Sequence, residues 1–220
     1  ESRGLRTTVG GRWAGVTAFT TDGVGLGYAV KSADLIEVNL NDNVSRRIGT
    51  ETWTGATQLA FGYHQSWGAG KDSYPRLWAV RGNAVRRVDL ATGVSTSIAT
   101  FASGVKFIAT YYDLASQNLQ PSLYVIDGAG TLHFVNTLTN VVSQLGATGA
   151  WAQARALTTN STTKHVYIAS GPTVASGHRL YRLDQGGVVL GQSSGFSNAQ
   201  WLATVKGTTF LMKSRHINRI

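Results

Sequence analysis

The sequence predicts an all-β chain, a five-bladed β-propeller of four-stranded antiparallel blades. Three observations predict it. A segment that reads as one short strand with small residues at its centre recurs five times along the 220 residues, starting near Val16, Ala56, Val105, Ala154 and Ala199. The stretch Leu77–Thr100, LWAVRGNAVRRVDLATGVSTSIAT, reads as three strands joined by tight turns, with Gly93 supplying the positive φ a hairpin turn needs. The two chain ends also complement each other as parts of one unit.

Strand one of each unit reads WAGVTAFT from Trp13, WTGATQLA from Trp53, ASGVKFIA from Ala102, WAQARALT from Trp151 and FSNAQWLA from Phe196. Four of the five begin on an aromatic, and Phe19, Leu59, Ile108, Leu157 and Leu202 share one later position. Small central residues suit a strand crowded against an axis. Strand two carries Tyr28, Trp78, Tyr124, Tyr167 and Phe210 at one matched position. Strand three repeats an apolar-x-x-apolar-polar pattern: LIEVN, VRRVD, LHFVN and LYRLD. Apolar residues on both faces are what sheets stacked face to face require.

The fifth copy breaks off at Ile217–Ile220 and resumes at the other end. Glu1 follows Ile220 in register, and LRTTVG from Leu5 matches VSRRIG from Val44. The whole chain, 1–220, is thus one domain, with blade five shared between 196–220 and 1–11. The N-terminal strand Leu5–Gly10 closes the ring against Thr209–Ile220, leaving no free sheet edge.

Composition bounds the function. There is no Cys, hence no disulfide framework or thiolate metal site. No apolar run approaches the roughly 18 residues of a membrane-spanning helix. A chain beginning at Glu1 is expected to be processed or excised. The net charge of +9 and pI of 10.1 permit attraction to polyanions. The arginines, however, are scattered (Arg46, Arg47, Arg86, Arg87, Arg182, Arg219). That pattern suits a solvated basic surface and disfavours nucleic acid as the partner.

With the repeat in hand, the chain resembles the five-bladed tachylectin family of β-propeller lectins. The resemblance rests on VGGRWAGVTAF, IGTETWTGATQLAF and LWAV, in the order I/V-G, Trp, small-residue strand, L-Y/W-A-V. It implies a secreted, non-catalytic protein that binds glycans, N-acetylated ones above all, in similar pockets around the ring. The family's Asp-Asn-Trp segment ahead of the outer strand is absent here. Asn43-Val-Ser45 and Asn160-Ser-Thr162 fit the N-glycosylation pattern at expected turns, in keeping with an extracellular location.

Candidate ligand residues follow from aromatic and glycine placement. Trp13, Trp53 and Trp151 offer indole faces on which a sugar ring stacks, and N–H groups that donate to it. Filling the wedge between blades is the alternative role. The crossover segments Gly10–Gly15, Gly49–Gly55 and Gly146–Gln153 pair one Trp each with Gly-rich backbone, Gly55 included. Blades three and five carry Ala102 and Phe196 instead. Three loops interrupt the repeat: Tyr63–Pro75, Tyr111–Pro121 and Ser170–His178. In the first, Tyr63, His64 and Trp67 are the asymmetric candidates for a ligand role.

No enzyme is expected. The 11 acidic residues form no cluster, no strand-one segment from VTAFT to AQWLA holds an acid, and no G-x-S-x-G occurs. Asn39, Asp89, Asn136 and Asp184 end strand three and are read as turn caps. His64, His133, His165, His178 and His216 lack metal-ligand spacing and are read as surface or hairpin residues. Neither a metal nor a cofactor is expected. The expected partners are glycans, N-acetylated or anionic. A protein- or polyanion-interaction scaffold is the alternative function, with a propeller glycoside hydrolase ranked below both. Nothing in the sequence sets the oligomeric state.

Overall fold

The computed structural model describes residues 13–22, 25–66, 73–112, 118–119, 121–171, 178–195, 199–205, 208–213 and 216–219. Every regular element among them is a strand. Sheet one runs β1 (Val16–Thr21), β2 (Leu26–Lys31), β3 (Asp34–Asn39), β4 (Ser45–Arg47). Sheet two runs β5 (Ala56–Ser66), β6 (Ser73–Arg81), β7 (Ala84–Val88), β8 (Ser95–Thr100). Sheet three begins with β9 (Val105–Tyr112), whose following segment holds β10 (Asn118–Leu119), a two-residue strand that pairs back onto β5 of sheet two. It continues with β11 (Pro121–Asp127), β12 (Leu132–Val135) and β13 (Val142–Leu145). Sheet four runs β14 (Ala154–Asn160), β15 (His165–Ser170), β16 (Arg179–Leu183), β17 (Val189–Ser193). Sheet five shows β18 (Ala199–Val205), β19 (Thr208–Lys213) and β20 (His216–Arg219) among the described residues. All pairings are antiparallel between chain neighbours apart from β10, so each sheet is a meander.

The first strands begin at the five expected residues, and Leu59, Ile108, Leu157 and Leu202 from four of them meet around one central space with β1. Each first strand carries a β-bulge at its second residue. Thr17, Thr57, Lys106, Arg155 and Gln200 are the extra residues, skipped in the pairing with strand two. A bulge bends a strand and raises its twist, which turns the inner edge of each sheet toward the axis. The register also places Tyr28, Trp78, Tyr124, Tyr167 and Phe210 opposite Thr20, Ala60, Ala109, Thr158 and Ala203, the fifth residue of each first strand. Small residues there leave room for the aromatic ring across the pair.

The core is a series of wedges between consecutive sheets. One cluster joins sheets one and two through Tyr28, Leu35, Trp53, Phe61 and Leu77; the next joins sheets two and three through Trp78, Val85, Phe101 and Leu123. A third holds Tyr124, Ile126, Trp151 and Ile168, and a fourth Ala169, Leu180 and Leu211. Apolar burial at about 25 cal/mol per Å2 makes these wedges the main cohesive element. Outer strands, by contrast, are exposed throughout β4 and nearly so in β13 and β17.

The strand-three caps act as the sequence suggests. Asp89 Oδ1 accepts from Ala91 and Thr92 N–H at 2.8 and 3.1 Å, and Asn136 Oδ1 from Leu138 and Thr139 at 3.0 and 3.1 Å. Asn39 Oδ1 accepts from Asn41 at 2.9 Å and Asp184 Oδ1 from Val188 at 2.9 Å. The Asp89 carboxyl is held below the usual carboxylate range by the N–H groups of Thr92 and Ala91.

Sheet packing fixes one glycine pair. Gly49, in the crossover from sheet one, touches Gly93, in the outer hairpin of sheet two. A Cβ on Gly93, at φ +73°, would lie 2.5 Å from the Gly49 Cα. Closure of the ring by 1–11 falls outside the described residues.

Candidate functional site

The structure places Trp53 and Trp151 in the wedges. Trp53 is fully buried and Trp151 is 7% exposed. The Arg81 guanidinium lies 5.3 Å from the Trp53 ring centroid, and Trp151 packs edge-on against Tyr181 at 5.1 Å. Trp13 is half-buried and meets Phe19 edge-on at 5.7 Å. The anchors are shared. Trp53 N–H donates to Ala33 O at 2.7 Å, Trp151 N–H to Gly130 O at 2.7 Å, and Phe101 N–H to Asn83 O at 2.9 Å. Phe101 therefore fills the aromatic position of sheet three, in place of Ala102 in the repeat. One extra residue between Phe101 and Val105 hides the match. Phe196 lies outside the described residues.

The crossover backbone is likewise engaged. Gly55 has φ +76° and sits in the turn in which Ala56 N–H bonds Trp53 O at 3.1 Å. Gly15 and Gly104 repeat that positive φ, so glycine serves the turn there. Glu51 bonds Ser95 N and Oγ at 3.0 and 2.9 Å and pairs with Arg81 at 2.7 Å. Burial raises the Glu51 carboxyl, but these hydrogen bonds and the Arg81 charge hold it below its ordinary value.

Tyr63 and His64 belong to a strand rather than a loop. Strand β5 runs on to Ser66, with Tyr63 opposite Pro75 and His64 opposite Tyr74. Aromatic residues on both sides of that segment favour strand, so the hairpin lengthens at the expense of the loop. Trp67 lies outside the described residues. The segment after β9 is partly strand as well, since β10 pairs with Gln65 and Ser66.

Two open spaces lie on the axis. One chamber, about 420 Å3, is reached from the face of the one–two hairpins; the other, about 340 Å3, from the crossover face. Leu59, Ile108, Leu157 and Leu202 line both and form the partition between them. The hairpin-face chamber is walled by hydroxyls, among them Thr20, Thr21, Thr110, Thr158, Thr159 and Thr204, with Asn160 and Phe61. The crossover-face chamber holds Thr17, Thr57, Gln58 and the exposed Arg155. Among the described residues no carboxylate lines either one. The signal for this site is present in the sequence. The sixth residue of the first strand is Thr21, Thr110, Thr159 or Thr204 in four units and Phe61 in the other. The matched segments stop one residue short of it.

Titratable groups outside the chambers form structural pairs. Asp127 accepts from Thr131 N–H at 2.8 Å and lies 3.0 Å from His133 Nε2. Burial raises the Asp127 carboxyl, and the Thr131 and His133 interactions outweigh it and hold it low. His178 is buried rather than on the surface, as is part of His133. Among the described residues no three His, Cys, Asp or Glu side chains converge on a possible metal site. Among the described residues no helix is long and apolar enough to cross a membrane.

Comparison with solved structures defines the class: the fold is that of a β-propeller. The chain superposes on the propeller domain of Cps50 (Swd1) from Myceliophteria thermophila with a TM-score of 0.63, at 11% identity over 92% of this chain and 63% of that one. A chain of the nidogen–laminin complex gives a TM-score of 0.63 at 10% identity, over 90% of this chain and 72% of that chain. A Bacteroides thetaiotaomicron protein of unknown function gives 0.57 at 13% identity, and this chain spans 52% of its length. At these identities the likeness is one of fold. No family model matches the sequence, and no curated protein matches it significantly.

Proposed function

We propose that the chain is a five-bladed, non-catalytic glycan-binding propeller, closed by its N-terminal segment and working outside the cell. The observation that supports the binding role is the chemistry of the axial chambers: hydroxyls, amides and aliphatic surface, with no carboxylate among the described residues. A pair of carboxylates within about 10 Å is what glycoside hydrolysis needs. Hydroxyl and amide groups beside aliphatic surface suit a ligand that offers hydroxyls on its rim and C–H groups on its faces. A polyanion- or protein-binding surface is the second reading. It is favoured by the net charge of +9 and by Arg76 and Arg87, which line a hollow of about 200 Å3 on sheet two together with Asp89.

A glycan array run at two salt concentrations separates the readings. Binding of uncharged glycans that changes little with ionic strength supports the lectin assignment. Binding confined to sulfated or nucleic-acid probes, falling steeply with salt, replaces it with the second. Closure has its own test. Deletion of residues 1–11 exposes a sheet edge and lowers the melting temperature; an unchanged melt refutes the closure scheme.

A further inference from the structure

We infer that the hairpin-face chamber on the axis is the seat of one uncharged sugar residue per chain, in place of one pocket per blade. The inference rests on the glycan-binding reading and names where in the fold that binding occurs.

The between-blade positions of Trp53 and Trp151 are filled. Trp53 and Trp151 are buried, and Gly49 and Glu51 of the first crossover are packed against the outer hairpin of sheet two. The axial chamber is open, and its roughly 420 Å3 falls within the range of small-molecule sites. Its floor is the aliphatic ring of Leu59, Ile108, Leu157 and Leu202, a surface for the C–H face of a pyranose.

Its wall is already ordered by bonds between strands. Thr159 Oγ1 donates to Thr110 O across sheets three and four. Thr158 Oγ1 donates to Thr204 Oγ1 at 3.4 Å across sheets four and five. Thr204 Oγ1 in turn lies 3.1 Å from Thr209 Oγ1, to which Asn160 Nδ2 donates at 3.3 Å. A threonine hydroxyl that donates in this way keeps lone pairs to accept from a ligand hydroxyl. Holding the rotamers in place before binding reduces the ordering cost of association. No ionised side chain lines the chamber among the described residues, so a charged ligand group would lose its hydration there without a counter-charge.

Symmetry of the wall is broken once. Phe61 stands where the other first strands carry threonine, and its strand β5 continues from the chamber into Tyr63 and His64. Phe61 and Tyr112 beside the hydroxyls give a sugar a preferred orientation, and one hairpin-face chamber per chain gives a stoichiometry of one.

The test uses the full chain with 13C-labelled Thr and Leu methyls, titrated with the methyl glycosides of glucose, galactose, mannose and N-acetylglucosamine, alongside the glycan array. The expected result is shifts at the methyls of Thr20, Thr110, Thr204 and Leu157 with a stoichiometry near one. Thr20→Phe is expected to weaken binding at least tenfold. Thr17→Phe, on the same strand at the opposite mouth, is expected to change it less than twofold. Should Thr20→Phe fail to fold, the methyl shifts of the parent decide alone. Saturation with more than one sugar per chain, or shifts confined to the crossovers, overturns the axial seat and leaves the glycan reading intact. So does a silent methyl titration beside a positive array. Silence in both experiments overturns the glycan reading and the seat together.

Discussion

Replacing Trp53 by alanine distinguishes a wedge from a ligand platform. The side chain has no exposed surface and packs in the cluster with Tyr28, Leu35, Ile48 and Phe61 between sheets one and two. Truncating a buried Trp costs about 3–5 kcal/mol. In a domain of this size each kcal/mol moves the melting temperature by about 2–4 °C, so Trp53→Ala is expected to lower it by roughly 6–20 °C. Trp53→Phe behaves differently. It removes roughly 40 Å3, which at about 24 cal/mol per Å3 costs about 1 kcal/mol. It also removes an indole N–H that is buried without a hydrogen-bond partner among the described residues. Relief of that unsatisfied donor, worth about 1–3 kcal/mol, offsets the cavity. The phenylalanine variant should therefore melt close to the parent. The assay is thermal unfolding by circular dichroism, with glycan binding measured per folded molecule. A Trp53→Ala protein that melts within 2 °C of the parent and no longer binds glycans would refute the wedge assignment and restore Trp53 as a stacking platform.

Acid sensitivity follows from the depressed carboxyls of Glu51, Asp89 and Asp127. Their folded forms bind protons more weakly than the unfolded chain. Stability is thus full above the usual carboxylate range of about 4 and falls as pH drops below it. Melting temperatures recorded from pH 6 to 3 should decline, and Asp127→Asn should flatten part of that decline. Gly93→Ala should be far more damaging than Gly82→Ala. Both positions have positive φ, but a Cβ on Gly82 meets nothing within 4 Å, whereas one on Gly93 meets backbone. The expected cost is about 1–2 kcal/mol for Gly82→Ala and clearly more for Gly93→Ala in urea melts; equal costs would refute the close crossover contact. When the chain is expressed through a eukaryotic secretory pathway, Asn43→Gln should remove glycan mass and Asn160→Gln should not. Asn43 is exposed at a turn, and Asn160 is buried and bonded to Thr209.

Much of the architecture was legible because a propeller repeats its demands. The start of each first strand, the matched aromatic on strand two and the Asx caps each recur in nearly the same chemical form. What stayed hidden breaks the period by one residue. The bulges at Thr17, Thr57, Lys106, Arg155 and Gln200 leave no trace in a period-two pattern, because the extra residue alters register without altering composition. Phe101 was missed for the same reason, displaced by one inserted residue. Tyr63 and His64 read as loop because Gly68, Gly70 and Pro75 surround them, yet the backbone ladder carries the hairpin through to Gln65. The axial site escaped notice because threonine at a strand end looks like ordinary β propensity. Only the register shows that four threonines from four strands reach one chamber.

The meander within every sheet also bears on how the chain acquires its structure. Strand pairs are chain neighbours, and bonds between sheets, such as Thr159 to Thr110 or Thr158 to Thr204, span 49 and 46 residues. Sheets that pack mainly on their chain neighbours can nucleate at any of several places and propagate, with the proposed closure between the chain ends coming last. During synthesis each completed sheet can dock on the one before it while the next is still being made, so apolar faces are covered in sequence and little sticky surface is exposed at any moment.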